Sequence, residues 1–297
     1  MELIKRLGRI AILGAQGQVG RAALNILGTE SSIALSRNQA DLCRVSLLLE
    51  ALEKYNPDAV FNAAAYTQVD LAEKEAELAR NINSEAPAAL ARWCAKRDIP
   101  FVHFSTDYVF SGEGTTPWRE EDRIAPLSIY GQTKAEGEKA IQEAGGRFLI
   151  FRTSWVYDAH GKNFLNTMLK LGKDRETLKI VNDQYGAPTF APDLAGGALE
   201  ALTQSLEMSS FPSGIYHLCN EGETTWYQFA QAIFDLAKER GIPLKIQELI
   251  PIPSSEYPTP ARRPQNSRLS TEKFYTTFGF RLPSWQNGLE MCIREVP

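Results

Sequence analysis

Cysteine is scarce in this chain. Four residues in 297, at Cys43, Cys94, Cys219 and Cys292, show no CxxC spacing, which argues against both a disulfide framework and a zinc site. No run approaches the 18 apolar residues of a membrane span, and Met1 to Gly8 lacks the long apolar core of a signal peptide. Internal repeats and low-complexity tracts are also missing. The formal net charge of −4 gives no general attraction for nucleic acid. These absences point to a cytoplasmic protein with neither a membrane nor a nucleic-acid partner. What remains, 43% hydrophobic and 23% charged residues, is the composition of an ordinary globular protein with room for one large domain or two modest ones.

The short apolar run Arg9–Leu13 ends in Gly14-Ala-Gln-Gly17-Gln-Val-Gly20 and gives way to a helical pattern through Leu27. Strand, glycine turn and helix in that order form a phosphate-binding site, because glycines allow close backbone approach and a helix N-terminus offers free N–H groups. The spacing is GxxGxxG. A second strand, Ser32–Ser36, is followed by Arg37. NAD-selective sites usually carry an acidic residue here to hold the ribose 2′-OH. Ser36 and Arg37 instead suit a 2′-phosphate, so NADPH is favoured and NADH stays open. Asp41 and Leu42 precede a helix over residues 45–55; the Asp is a helix cap or an adenine contact.

A third strand, Ala59–Asn62, leads into Ala63, Ala64, Ala65, Tyr66 and Thr67, where small residues let a cofactor lie across strand ends. Two helices, around residues 72–80 and 84–97, come before a fourth strand, Phe101–Phe104. His103 in that strand reads as a packed residue. Ser105, Thr106 and Asp107 stand at its carboxyl end, where open α/β sheets bind ligands. A loop over residues 111–127 is long enough to be a functional lid. In the next helix Tyr130 and Lys134, four apart, point from one face. A cation about 5 Å from a phenol favours the phenolate by roughly two pKa units, which would tune Tyr130 for acid–base work. Phe148–Arg152 is a fifth strand.

The expected fold is therefore α/β, a doubly wound parallel sheet (Rossmann) with a smaller α/β C-terminal substrate domain. Residues 1–154 form the dinucleotide-binding domain, with its sheet completed by about 175–215, and residues 155–297 are mainly substrate-binding. Leu178–Val181 reads as a sixth strand, Gly214–Leu218 as a short strand and Thr225–Arg240 as an amphipathic helix. The stretch 251–264 is proline-rich and carries Arg262 and Arg263.

Together these motifs resemble the extended short-chain dehydrogenase/reductases, and within them the dTDP-4-dehydrorhamnose reductase family. The match is carried by Gly14–Gly20, residues 62–67 with Val69-Asp70, residues 105–110, Tyr130-Gly-Gln-Thr-Lys134, residues 152–157, Asp183-Gln-Tyr-Gly-Ala-Pro-Thr189 and Ala261-Arg-Arg-Pro-Gln-Asn-Ser-Arg-Leu269. The last two lie outside the generic cofactor fold and are the specific ones. The resemblance implies that NADPH delivers a hydride to the C4 ketone of dTDP-4-dehydro-L-rhamnose, giving dTDP-L-rhamnose. Tyr130 would protonate the oxygen, Thr106 would hydrogen-bond it, and Lys134 would hold the nicotinamide ribose and depress the Tyr130 pKa. By matching position Gly17, Gln18, Val19, Asp41, Leu42, Ala65, Tyr66 and Thr67 contact cofactor, and Thr106, Asp107 and Trp155 contact the dTDP-sugar. Arg262 and Arg263 are either clamps for the substrate diphosphate or members of a surface ion pair.

Some family members are dimers bridged by magnesium on glutamates, one just after the glycine loop. Arg21-Ala22-Ala23 stands there instead, so no metal is expected, and the chain should be a monomer or weak homodimer. Two rivals share the pattern. A sugar-nucleotide epimerase or 4,6-dehydratase shares the fold, but dehydratases need Asp-Glu where this chain has Asp107-Tyr108. The other is a non-catalytic regulatory subunit resembling methionine adenosyltransferase β.

Overall fold

A computed structural model describes residues 8–296. The amino-terminal stretch for which no leader is expected lies, Gly8 apart, outside them. Ile10–Leu13 forms β1 with all four side chains buried, as a strand covered by helices on both faces requires. It is followed by α1 (Gln18–Leu27), β2 (Ser32–Leu35), α2 (Val45–Tyr55) and β3 (Ala59–Asn62). Short helices α3 (Val69–Ala72) and α4 (Ala76–Arg80) continue through a π-helical turn, Asn81–Glu85, into α5 (Ala86–Lys96). Then come β4 (Phe101–Thr106), α6 (Ile129–Ala144) and β5 (Phe148–Thr153).

The second half holds β6 (Val156–Tyr157), α7 (Phe164–Asp174), β7 (Thr177–Val181), β8 (Tyr185–Gly186) and β9 (Thr189–Phe190). After these run α8 (Ala191–Glu207), β10 (Gly214–His217), β11 (Thr224–Thr225), α9 (Trp226–Glu239) and β12 (Glu248–Ile252). Helices α10 (Glu272–Phe278) and α11 (Trp285–Glu295) follow.

Among the described residues six strands make one parallel sheet in the order β10-β5-β4-β3-β1-β2. The chain reverses direction across the sheet between β1 and β3, so a crevice opens outside their carboxyl ends. Apolar layers cover both faces. One joins the sheet to α1, α8 and α10, and the other joins it to α2, α5 and α6. A separate core lies among α7, α9, α11 and β7.

The expected sixth strand at Leu178–Val181 forms, but not in this sheet. It pairs in parallel with β12, while β10 takes the sixth place beside β5. Burial along β7 alternates between exposed and buried, the pattern of a strand with one wet face, whereas β1, β3 and β5 are buried throughout. No helix among the described residues is long and apolar enough to cross a membrane.

Candidate active site

The glycine turn is shaped for close approach. Gly14 has φ +72°, and a Cβ there would lie 2.7 Å from the Ala64 nitrogen; one on Gly20 would lie 2.2 Å from the Gly14 oxygen. Turn, α1 and residues 63–65 can therefore meet only without side chains at these points. Together they wall a cleft of about 540 Å³. Of the expected cofactor residues, Gly14, Gly17, Gln18, Val19, Arg37, Asp41, Leu42, Ala63, Ala64, Ala65, Thr67, Tyr130 and Lys134 line it. Gly20 lies behind, packed on Gly14.

Two expected contacts turn elsewhere. The Ser36 hydroxyl bonds Gln39 Oε1 at 2.7 Å. Tyr66 is buried and donates its phenol hydrogen to Glu75 at 2.7 Å, and burial pushes its pKa up to about 12. Tyr66 does not line the cleft, although its neighbours Ala65 and Thr67 do. Ser105 and Thr153 also line the cleft, each with a buried hydroxyl that has no partner among the described residues. Unpaired hydroxyls and a side-chain-free cradle fit a polar dinucleotide, because buried polar groups rarely stay unsatisfied.

Ser128 caps α6, its hydroxyl accepting the Gly131 N–H at 3.2 Å. Gly131 is needed because a Cβ would stand 2.2 Å from the Tyr108 oxygen. This contact brings Tyr130 edge-on to Tyr108, with ring centroids 5.6 Å apart, and within hydrogen-bond reach of Thr106. The expected cationic tuning of Tyr130 is not what this arrangement gives. Burial, reinforced by the Asp107 carboxylate and partly offset by Thr106, pushes the phenol up to about 12. Lys134 Nζ is occupied below, 2.5 Å from the Phe104 carbonyl and 3.2 Å from His103 Nε2. A shared helix face sets where two side chains start, not where their ends go.

Burial pulls Lys134 down to about 8, against a modest opposite pull from Glu138. Because the folded-state pKa lies below the ordinary 10.5, the folded protein bears the cost of a buried charge below pH 8. That cost fades as the pH rises toward 10.5. Lys134→Met is therefore expected to stabilise the ligand-free protein at pH 7 by about 1–2 kcal/mol. The gain should shrink by pH 10, as read from urea midpoints; a variant less stable than wild type at pH 7 would contradict it.

Thr106 is buried and donates to Asp107 Oδ1 at 3.2 Å. Asp107 is also buried, with Oδ2 unpartnered among the described residues, and desolvation raises its pKa to about 7 despite the opposing pull of Ser267 and Thr106. Trp155 has φ +47°, a conformation costly for a bulky side chain and often found at functional sites. Its ring stacks on Trp226 at 3.7 Å.

Next to these residues lies a second cavity, of about 790 Å³. Phe164, Trp226 and Gln184 line it, as do both expected arginines. Arg263 is already engaged by Asp70, with contacts of 2.9 and 2.8 Å, so the ion-pair alternative describes it. Arg262 lines the cavity with no ion pair among the described residues.

Several residues that build the site are not evident in the sequence. Asn83, in the π-helical turn, accepts the Tyr66 N–H at 2.8 Å and donates to the Tyr66 carbonyl and Thr133, holding residues 63–67 against α6. Trp226 reads as one more apolar residue of an amphipathic helix. The 111–127 loop is tied down: Asn266 bonds the Gly112 and Thr116 carbonyls, and Trp118 bonds the Asn266 and Arg268 carbonyls. Arg21, just after the glycine turn, pairs with Asp158 at 2.7 Å.

A doubly wound sheet with a glycine-lined crevice, a half-buried tyrosine and a buried lysine one turn apart on a helix, and a strand-end threonine defines the class of extended short-chain dehydrogenase/reductases. Comparison with known proteins narrows the class. The family model described as RmlD substrate binding domain matches residues 8–297. The chain is 45% identical to a dTDP-4-dehydrorhamnose reductase of Escherichia coli strain K12 over 294 residues, 97% of each chain. Against the enzyme of that name from Burkholderia thailandensis the identity is 44%, covering 97% of this chain and 99% of the relative. A crystal structure of a Bacillus anthracis dTDP-4-dehydrorhamnose reductase in complex with NADP superposes with a TM-score of 0.89 at 33% identity, covering 97% and 99% of the two chains. The protein belongs to the dTDP-4-dehydrorhamnose reductase family.

Proposed function

We propose that this protein is an NADPH-dependent oxidoreductase that reduces the C4 ketone of dTDP-4-dehydro-L-rhamnose to dTDP-L-rhamnose, with Tyr130 as the proton donor. The observation that carries the reading is that Tyr130 lines the cofactor crevice within reach of Thr106 at the end of β4, in a chain whose relatives carry this activity in their names. Bound in the crevice, the dihydronicotinamide supplies the hydride. Thr106 and Tyr130 receive the ketone oxygen as negative charge develops on it, and the Tyr130 hydrogen moves to that oxygen. Lys134 holds the nicotinamide ribose hydroxyls. Residues 155–297 contribute mainly the substrate side, with Trp155 near the sugar and Arg262 at the diphosphate, where a free guanidinium matches phosphate geometry. This chemistry calls on one chain only, so a monomer or weak homodimer is the proposed state.

The test is NADPH oxidation with dTDP-4-dehydrorhamnose made in situ. Turnover is expected. Folded protein that binds NADPH without turning over would instead favour the non-catalytic regulatory reading.

The preference for NADPH rests on Arg37, whose side chain is 76% exposed and 3.9 Å from Asp41. Arg37→Ala should weaken NADPH about tenfold at low salt while leaving NADH nearly unchanged, because one charge-assisted contact to the 2′-phosphate is lost. Equal weakening of both cofactors, measured by fluorescence titration, would remove Arg37 from this role.

A further inference from the structure

Asn62 on β3 and His103 on β4 are polar residues in an apolar wall, each 1% exposed, and the reaction above uses neither. Asn62 Nδ2 lies 3.0 Å from His103 Nδ1, and Lys134 Nζ lies 3.2 Å from His103 Nε2. The Asn62 amide has one workable orientation, because its Oδ1 accepts the Ala64 N–H at 3.2 Å; its nitrogen must then face the ring. An amide nitrogen only donates, so His103 Nδ1 is an acceptor. Burial holds His103 neutral. A neutral imidazole carries one hydrogen, which therefore sits on Nε2 and points at Lys134. An ammonium has no lone pair to receive it. An amine has one, and keeps hydrogens for the Phe104 carbonyl.

The surroundings supply little to offset this. Glu138 on α6 is the carboxylate that acts on Lys134, and the Arg152 guanidinium from β5 is bonded to both its oxygens, at 2.8 and 2.7 Å. Tyr130, one turn earlier on α6, is a protonated phenol with its pKa pushed up to about 12. On β4, Phe101 stacks on the imidazole at 5.9 Å and brings no charge, and β3 presents only the neutral Asn62.

We propose that His103, locked by Asn62 with its hydrogen on Nε2, is a positioning residue that leaves Lys134 of the ligand-free protein one proton short in mildly alkaline solution, and that NADPH binding makes Lys134 take up that proton. This rests on the cofactor reading above. Ribose hydroxyls and a nearby diphosphate favour the ammonium over the amine, so the proton comes from solvent as the cofactor enters. By linkage, NADPH affinity falls as the pH rises above about 8, by about fivefold between pH 8 and pH 9.

Calorimetry of NADPH binding at pH 9, in two buffers of different ionisation enthalpy, reads the proton directly. Uptake of about one proton per NADPH is expected, shrinking toward pH 7. It should vanish in Lys134→Met. In Asn62→Asp, where an acceptor replaces the donor, the tautomer reverses and uptake is again lost. Ring 15N spectra of the ligand-free protein, which has three histidines, report whether His103 carries its hydrogen on Nε2. A hydrogen on Nδ1, or NADPH binding with no uptake at pH 9, overturns the proposal while leaving the cofactor reading intact. Absence of NADPH binding overturns both.

Discussion

Tyr130→Phe is expected to lower turnover by about 10²–10³-fold, or about 3–4 kcal/mol of transition-state stabilisation, with NADPH binding and denaturant midpoint nearly unchanged. The argument rests on what a proton donor in a reduction must do. It has to keep its hydrogen until hydride transfer makes the ketone oxygen basic, then release it to a stronger base. Burial holds the Tyr130 phenol at about 12, so it is fully protonated at neutral pH, and an alkoxide is basic enough to take its hydrogen. Phenylalanine keeps the ring, its edge-on contact with Tyr108 and the fit of α6. It removes one hydroxyl and leaves the packing of the ring in place. The loss should appear in kcat and kcat/KM together, because the interaction matters in the transition state. Turnover within about threefold of wild type would show that water or another group donates the proton.

This site was only partly legible in the sequence, and the reasons are physical. Gly14–Gly20, Tyr130, Lys134 and the strand-end Thr106 are visible because their roles depend on backbone conformation or on a fixed place in a repeating βα pattern. Asn83, Asn62 and His103 act across residues distant in sequence, and no local spacing marks a side chain whose partner lies 17 or 41 positions away. Tyr66 shows the converse: it stands in the expected cofactor segment, and its phenol bonds Glu75. In the fold, β1 to β5 follow from apolar runs bounded by glycine and proline. The two-residue strands β6, β8, β9 and β11 exist only through tertiary pairing. Strand β12 was hidden by Pro251, which a central strand would exclude but a two-stranded sheet, with edges on both strands, tolerates. Without β12 in view, β7 had no partner but the main sheet.

Glu138→Gln should cost about 3 kcal/mol of stability, a large part of the 5–15 kcal/mol typical of a folded domain. Glu138 and Arg152 form a two-pronged pair with both side chains 1% exposed. Arg152 also bonds the Glu120 carbonyl in the 111–127 loop and lies over the Phe110 ring. The pair therefore joins β5, the helix that carries Tyr130 and Lys134, and the loop beside them. Once the carboxylate is neutralised, the guanidinium stays buried without a counter-charge, and its desolvation is no longer offset. Removing both charges is a different matter. The double variant Glu138→Leu with Arg152→Met should recover much of the loss, because well-packed apolar groups often replace a buried ion pair without penalty. Urea denaturation of Glu138→Gln and of the double variant separates these cases. A Glu138→Gln protein within about 1 kcal/mol of wild type would mean that water reaches Arg152 and that the pair contributes little. Since neither side chain touches the crevice, the fraction of Glu138→Gln that remains folded at low temperature should keep NADPH-dependent turnover within about tenfold of wild type. That outcome would separate a residue that supports α6 from one, such as Tyr130, that acts on the substrate.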